Sequence, residues 1–281
     1  PQIRGPLRSC PIADCLAEAR WLADEGVKEL IVVAQDPTAY GEDWGKPGSI
    51  CELLDGLNAI DGLRWIRVLS AYPERITDEF IAAMKRNDKV LPYLDLPIQH
   101  CNDTILHNMN RRGGRAELEA VIAKLRREIP GITLRTTLIA GFPGETEAQF
   151  EELCRFVKEM QFDRLGCFAY SAEENTVAAR MPDQVDEEVR RRRADIIMEA
   201  QTNVMAAKQA AKVGQTLECI CDGIDEESGC YLLRTKADCP EIDGNVCVES
   251  ETPLYPGEFY RVKITDSDLY DLYGAVEEKA E

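Results

Sequence analysis

ITLRTTLIAGFPGETEAQFEELCRFVKEM, residues 132–160, decides the fold. Apart from Arg135, its first eight residues are aliphatic or β-branched, and they read as a strand. GFPGET follows, where Gly141 and Gly144 let the chain turn and Thr146 can cap a helix. Residues 147–160 then carry apolar side chains at helical spacing. Strand, glycine turn and helix make one βα step. A run of such steps builds a parallel sheet, because parallel strands need crossover connections.

The same alternation extends on both sides. Residues 11–25 read as a helix with Leu16, Ala19, Trp21 and Leu22 facing inward, ended by Gly26. A strand at 28–34 (KELIVVA), a loop rich in Asp, Gly and Pro at 35–48 and a helix at 49–60 follow. Next come a strand at 63–69 (LRWIRVL), a helix at 78–86 capped by Thr77, a strand at 93–98, and helices at 103–110 and 115–128, Asp103 reading as the cap of the first. Residues 164–169 form the last strand of the series. The strands are short and apolar, as expected when both faces are covered. A closed or partly closed β/α barrel and an open doubly wound sheet fit this pattern equally. Residues 186–212 read as one long helix, and from Val213 the pattern changes to short strands at 215–222, 230–235, 245–249 and 257–265. The expected organisation is an α/β domain over 1–185, a connecting helix over 186–212, and a small all-β barrel of about five strands over 213–281.

Composition narrows the partners. The 281 residues carry 51 Asp and Glu against 33 Lys and Arg, a formal charge of −18. Residues 213–281 hold 17 of the acids and 5 of the bases, so −12 of that charge sits in the β-domain. Such a surface repels phosphate backbones and anionic membranes and favours a basic partner. No apolar run approaches the ~18 residues of a transmembrane helix, and the opening PQIRGPLRSC lacks the apolar stretch of a signal peptide. Eleven cysteines without a single CxxC exclude a zinc ribbon or thioredoxin motif, and their odd number and even spread do not suit a secreted disulfide framework.

Polar residues follow the strands at one end: Gln35 and Asp36, Ser70 and Tyr72, Gln99 and His100, Tyr170 and Ser171. Each alone reads as a loop residue. Together they ring the carboxyl ends of the strands, where β/α enzymes bind and react. The GFPGET loop is either a ligand-approach loop at this end or an ordinary βα turn. It is neither GxGxxG nor a phosphate loop, since no GK[ST] follows. His100, Cys101 and His107 are too poorly spaced for a metal site, Cys10 and Cys15 read as structural, and Cys219 and Cys221 as core filling. The arginines at 190–193 read as a solvated helix face or a tether to an acidic neighbour.

Several motifs in order resemble a known family. IRGPLRSCPI, VVAQDPTAYG, LPIQH followed by NMNRRGG, TLIAGFPGET and FAYSAEENTVAARMPDQV are similar to segments of the methylthiotransferases of the radical S-adenosylmethionine superfamily. The last 69 residues resemble a TRAM domain, and CPEIDGNV and YDLYG within them resemble the RimO type in particular. The resemblance covers nearly the whole chain. It implies a partial, TIM-like radical SAM barrel followed by a TRAM β-barrel. It also implies S-adenosylmethionine and two [4Fe-4S] clusters whose ligands are not in this chain. The family's CxxxCxxC loop is expected just ahead of Pro1, so these residues alone are expected to bind no cluster and to be inactive. In the intact enzyme the resemblance implies cleavage of S-adenosylmethionine to a 5′-deoxyadenosyl radical, hydrogen abstraction from the β-carbon of an aspartate in a small-subunit ribosomal protein, and transfer of a methylthio group.

By the same resemblance, Gln99 and Ser70 lie on the ribose or amino-acid side of the cofactor, and Gln35 is a further cofactor-binding residue. Leu138, Ile139, Phe168 and Tyr170 flank the adenine, Arg111 faces the methionine carboxylate, and Glu145 orients the glycine loop. The implied partner is a basic ribosomal protein in the cytoplasm, with no nucleic-acid or membrane contact and no particular electron donor. Two other functions fit less of the sequence: a transfer-RNA methylthiotransferase of the MiaB type, where a basic TRAM domain is expected, and a non-catalytic module that docks on ribosomal proteins.

Overall fold

The computed structural model describes residues 5–280, and the chain divides into two compact units, Pro1–Met198 and Glu199–Glu281. The start of the IRGPLRSCPI segment therefore lies outside the described residues.

The first unit alternates helices and strands: α1 (Ile12–Asp24), β1 (Glu29–Val32), α2 (Ser49–Asn58), β2 (Trp65–Val68), α3 (Asp78–Arg86), β3 (Val90–Asp95), α4 (Asp103–Asn108), α5 (Arg115–Glu128), β4 (Thr133–Ala140), α6 (Glu147–Met160) and β5 (Arg164–Ala169). The strands are parallel and stand in chain order, β1-β2-β3-β4-β5. Winding that never reverses is that of a β/α barrel. A doubly wound sheet would turn back at a switch point. The sheet is a partial barrel.

Leu30, Val32, Ile66, Val68, Leu94, Leu134, Leu138 and Leu165 point to the helices and build the core with Leu54, Phe80, Ile122, Phe150 and Phe156. The alternate positions differ from the expectation of two apolar faces. They carry Glu29, Arg67, Tyr93, Asp95, Arg135 and Arg164, a charged row on the inner face. Because side chains alternate along a strand, one face can be leucine-rich while the other is ionic.

Local chemistry sets most boundaries. Thr77 and Thr146 cap α3 and α6 as expected, and Gln149 returns a bond to the Thr146 amide in a capping box. Asn102, not Asp103, caps α4, accepting from the amides of Thr104 and Ile105. Asp103 instead takes the amide of Arg115 at 2.7 Å. Strand β3 starts and ends three residues earlier than expected. Pro97 has no amide to give, so the ladder stops there, and Gln99 rejoins β4 through an isolated bridge. On α1, Trp21 is 60% exposed, and Ile12 and Cys15 join Leu16 and Ala19 on the inner face instead.

Helix α7 (Glu187–Ala210) begins in the first unit and ends in the second. The strands β6 (Thr216–Ile224), β7 (Tyr231–Thr235), β8 (Val246–Val248), β9 (Phe259–Ser267) and β10 (Leu272–Lys279) close into a barrel in the order β10-β8-β7-β6-β9. The fifth strand, left unplaced by the sequence pattern, closes it by pairing parallel to β8 and antiparallel to β9. Cys219 and Cys221 fill the core with Leu233, Val246, Val248, Val262 and Ile264.

Candidate active site at the strand ends

The ends of β2 and β3 each place a polar residue in a sparsely populated backbone conformation. Gln99 has φ +70°, with the His100 amide bonded back to the Ile98 carbonyl at 2.9 Å across it. Its own amide and carbonyl bond to Thr137 and Ile139 of β4 at 2.9 and 2.8 Å. Ser70 has φ +61°, and its amide donates to Asp95 Oδ2 at 3.1 Å. Positive φ at a residue other than glycine costs ~1–3 kcal/mol and persists where surrounding bonds enforce it, commonly at ligand sites.

Beyond β5, the Tyr170 amide bonds to Ala140 at 2.8 Å and its ring meets Phe142 edge-on at 5.3 Å. Arg190 of α7 lies over that ring and donates to the Tyr170 carbonyl at 2.7 Å. The Tyr170 hydroxyl is buried with no hydrogen-bond partner. A buried hydroxyl is costly to leave unpaired, so this one fits a polar ligand atom at the strand ends.

The glycine loop is held from behind. Glu145, fully buried at its side chain, accepts from the Gly141 amide at 3.0 Å, from His100 Nε2 at 3.2 Å and from Arg193 Nη1 at 2.8 Å. His100 Nδ1 accepts the Asn102 amide at 2.9 Å, which leaves the ring proton on Nε2. Both nitrogens are thus used in structure, and His107 is exposed, so the two histidines do not converge. Glu145 orients the loop, as expected. Gly141 serves packing rather than ligand approach: with φ +75°, a Cβ there would lie 2.2 Å from Arg190 Cγ. The arginine run is therefore divided. Arg193 ties α7 to the loop at Glu145 and Arg190 ties it to Tyr170, while Arg191 and Arg192 are exposed.

The inner face of the sheet was not legible as a site in the sequence. Arg67 donates to Glu29 at 2.9 Å and stacks 4.5 Å over Tyr93, and Arg135 meets Asp95 at 3.4 Å. Asp95 thereby links this row to Ser70. The available signal was a single arginine interrupting each of the strands WIRV and TLRTT, out of step with their buried aliphatic positions.

The expected contact residues divide accordingly. Gln99, Ile139, Phe168 and Tyr170 come together along the ends of β3, β4 and β5, with Ile139 and Phe168 in register. Ser70 stands at the end of β2, and Gln35 is exposed in the loop after β1. Arg111 donates to the Pro97 carbonyl at 3.2 Å and stacks 4.6 Å over Tyr72, so it braces the loop that carries Gln99. Leu138 is turned away, wholly buried among the helices, and can offer a ligand at the strand ends no more than backbone. A cavity of about 270 Å³ opens at the end of β1, lined by Val32, Val33, Asp36 and Tyr40 together with Cys10 and Cys15. Contact with the Cys15 thiol holds the Cys10 thiol above its usual range, and burial pushes Cys101 and Cys167 up to about 12. Among the described residues no group of three or more His, Cys, Asp or Glu is placed to hold a metal ion.

Comparison with known proteins agrees with this geometry. Residues 1–157 match the model of the radical SAM superfamily, and residues 213–276 match that of the TRAM domain. The chain is 47% identical over 276 residues to the ribosomal protein uS12 methylthiotransferase RimO of Desulfitobacterium hafniense, covering 98% of this chain and 62% of the relative. It is 48% identical over 276 residues to the RimO of Pelotomaculum thermopropionicum, with the same coverage. It thus spans less than two thirds of the length of these relatives. Among solved structures, coproporphyrinogen III oxidase of Escherichia coli, a radical SAM enzyme, shares the fold at 18% identity and a TM-score of 0.50, covering 71% of this chain and 46% of that one. With a parallel β/α partial barrel, polar strand ends and a family match over more than half its length, the chain belongs to the radical S-adenosylmethionine superfamily.

Proposed function

We propose that this chain forms the barrel and TRAM portions of a methylthiotransferase that modifies ribosomal protein uS12 in the cytoplasm, at the β-carbon of an aspartate. The observation that carries the reading is 44–48% identity across nearly the whole chain to proteins named ribosomal protein uS12 methylthiotransferases. The net charge supports the substrate class: a β-domain at −12 attracts a cationic polypeptide and repels transfer RNA.

S-adenosylmethionine, when bound and reduced, supplies hydrogen-atom abstraction from an unactivated carbon. The residues that would hold it are those at the strand ends. Gln99 and Ser70 present backbone and side-chain polar groups in enforced conformations, and the unpaired Tyr170 hydroxyl supplies a donor. Ile139 and Phe168 offer apolar surface, and Gln35 and the backbone beside Leu138 complete the rim. Their contribution is orientation and exclusion of water, which protect reactive carbon chemistry from side reactions.

The test uses these 281 residues joined to a segment that bears the family's CxxxCxxC loop and the ligands of its second cluster, reconstituted anaerobically with iron and sulfide. With S-adenosylmethionine, a reductant and uS12, mass spectrometry is expected to find one methylthio group on an aspartate of uS12. An unmodified uS12 alongside methylthiolated transfer RNA would overturn the assignment.

A further inference from the structure

Cys10 and Cys15 flank the start of α1. Pro11 stands at the cap of that helix, so Cys10 lies just ahead of the cap and Cys15 at the end of the first turn. These two positions face each other at a helix entry, where an apolar pair commonly staples the incoming chain to the helix. Here the pair is made of thiols. The Cys15 thiol lies 3.9 Å from the Cys10 carbonyl and 3.8 Å from the Tyr40 hydroxyl, and that hydroxyl donates to the same carbonyl. One residue earlier, the Ser9 amide and hydroxyl donate to the Asp43 carboxylate at 2.9 and 2.6 Å, and the Gly41 amide donates to Ser9 Oγ at 2.9 Å. The incoming chain is thus fixed on both sides of the Cys10 side chain.

The two thiols differ in access. Both are free, and Cys10 is the single exposed cysteine among the described residues, while Cys15 is half-buried against the core of the first unit. Both line the cavity of about 270 Å³ at the end of β1, together with Leu7, Val33 and Tyr40. A hydrogen bond with the Cys15 thiol holds the Cys10 thiol above its usual range, so the two sulfur atoms face each other. Cys219 and Cys221 also neighbour each other on β6, but both are buried in the β-domain core. An accessible thiol held against a half-buried one has the two parts that thiol–disulfide exchange requires, an attacking sulfur and a resolving sulfur.

We propose that Cys10 and Cys15 form a dithiol site that reacts with the disulfides of small thiols and closes to an intramolecular bridge. Cys10, as the thiolate, attacks one sulfur of the small disulfide. A mixed disulfide forms on Cys10, and the first small thiolate leaves and takes up the proton that Cys10 lost. The Cys15 thiolate then attacks Cys10 Sγ, and the second small thiolate leaves with the Cys15 proton. The two cysteines are oxidised to one S–S bond, and one small disulfide is reduced to two thiols. The bridge makes the helix entry covalent and ties the cavity wall at residues 7–10 to α1. It uses neither S-adenosylmethionine nor uS12, so its failure and that of the function proposed above are separate results.

The test treats the full chain with hydroxyethyl disulfide, quenches with N-ethylmaleimide and maps tryptic peptides by mass spectrometry. Cleavage after Arg8 and Arg20 isolates residues 9–20, which hold Cys10 and Cys15 and no other cysteine. This peptide is expected to become two hydrogens lighter before any other cysteine of the chain is modified. In Cys15→Ser the mixed disulfide on Cys10 is expected to accumulate at least about tenfold over the parent, because a resolving thiol at an effective concentration of about millimolar or more has been removed. In Cys10→Ser, Cys15 is expected to stay unmodified over the same time. In concentrated urea, which melts the helix entry, the ratio of bridge to adducts on the parent peptide is expected to fall severalfold. Two separate adducts on the native peptide, an unreacted peptide while other cysteines are modified, or an undiminished ratio in urea would overturn the proposal.

Discussion

At the scale of single residues, the loop that resembles a ligand-binding glycine motif owes its two glycines to different causes. Gly141 and Gly144 both have positive φ, but a Cβ at Gly141 meets the Cγ, Cβ and Cα of Arg190 at 2.2, 2.8 and 3.0 Å, whereas nothing lies within 4 Å of one at Gly144. These atoms are the root of the arginine, so the helix itself would have to move. Gly144→Ala is expected to cost about 1–2 kcal/mol for backbone conformation alone. Gly141→Ala is expected to cost about 2–4 kcal/mol, adding an overpacked contact. Urea denaturation of the two variants checks this, and equal costs would remove Arg190 from the explanation. Glu145 shows a similar economy of means: one buried carboxylate satisfies the loop amide, His100 and Arg193 together, so the loop, the Gln99 turn and α7 share an anchor.

At the scale of elements, helices on the outside of the barrel are joined by ion pairs whose effect depends on pH. Asp55 of α2 takes Arg86 of α3 in two bonds, at 2.8 and 2.6 Å, and Asn87 at 2.7 Å. The bond from Arg86 holds the Asp55 carboxyl below its ordinary 3.8, against a smaller opposing effect of burial. A depressed carboxylate pKa gives stability that is present above the unfolded-state pKa and is lost as pH falls through the folded-state value. The stability gap between the parent and Asp55→Asn is therefore expected to be constant from pH 6 to 8 and to close below about pH 4. A gap that persists at pH 2 in denaturation curves would assign the effect to Asn87 or to packing. The pair is half exposed, so the gap is small, of the order of other surface pairs.

At the scale of the whole molecule, a formal charge of −18 acts on every folded surface. Self-repulsion opposes compaction, and salt screens it. The melting temperature is expected to rise between 10 and 300 mM sodium chloride, by calorimetry. A fall would mean that ion pairs such as Asp55–Arg86 outweigh the net repulsion. Much of this architecture was legible along the chain. Alternation of apolar strands and amphipathic helices determined the β/α class, Thr77 and Thr146 marked helix starts, and the shift to short strands after Val213 marked the β-domain. These are readable because hydrophobic period and capping chemistry are local. Barrel winding as against a doubly wound sheet, the inward Arg67–Glu29 and Arg135–Asp95 pairs, and the use of Gly141 to admit Arg190 were decided by tertiary structure alone. Each depends on which residues, tens of positions apart, are brought within a few ångströms, and no local period encodes that.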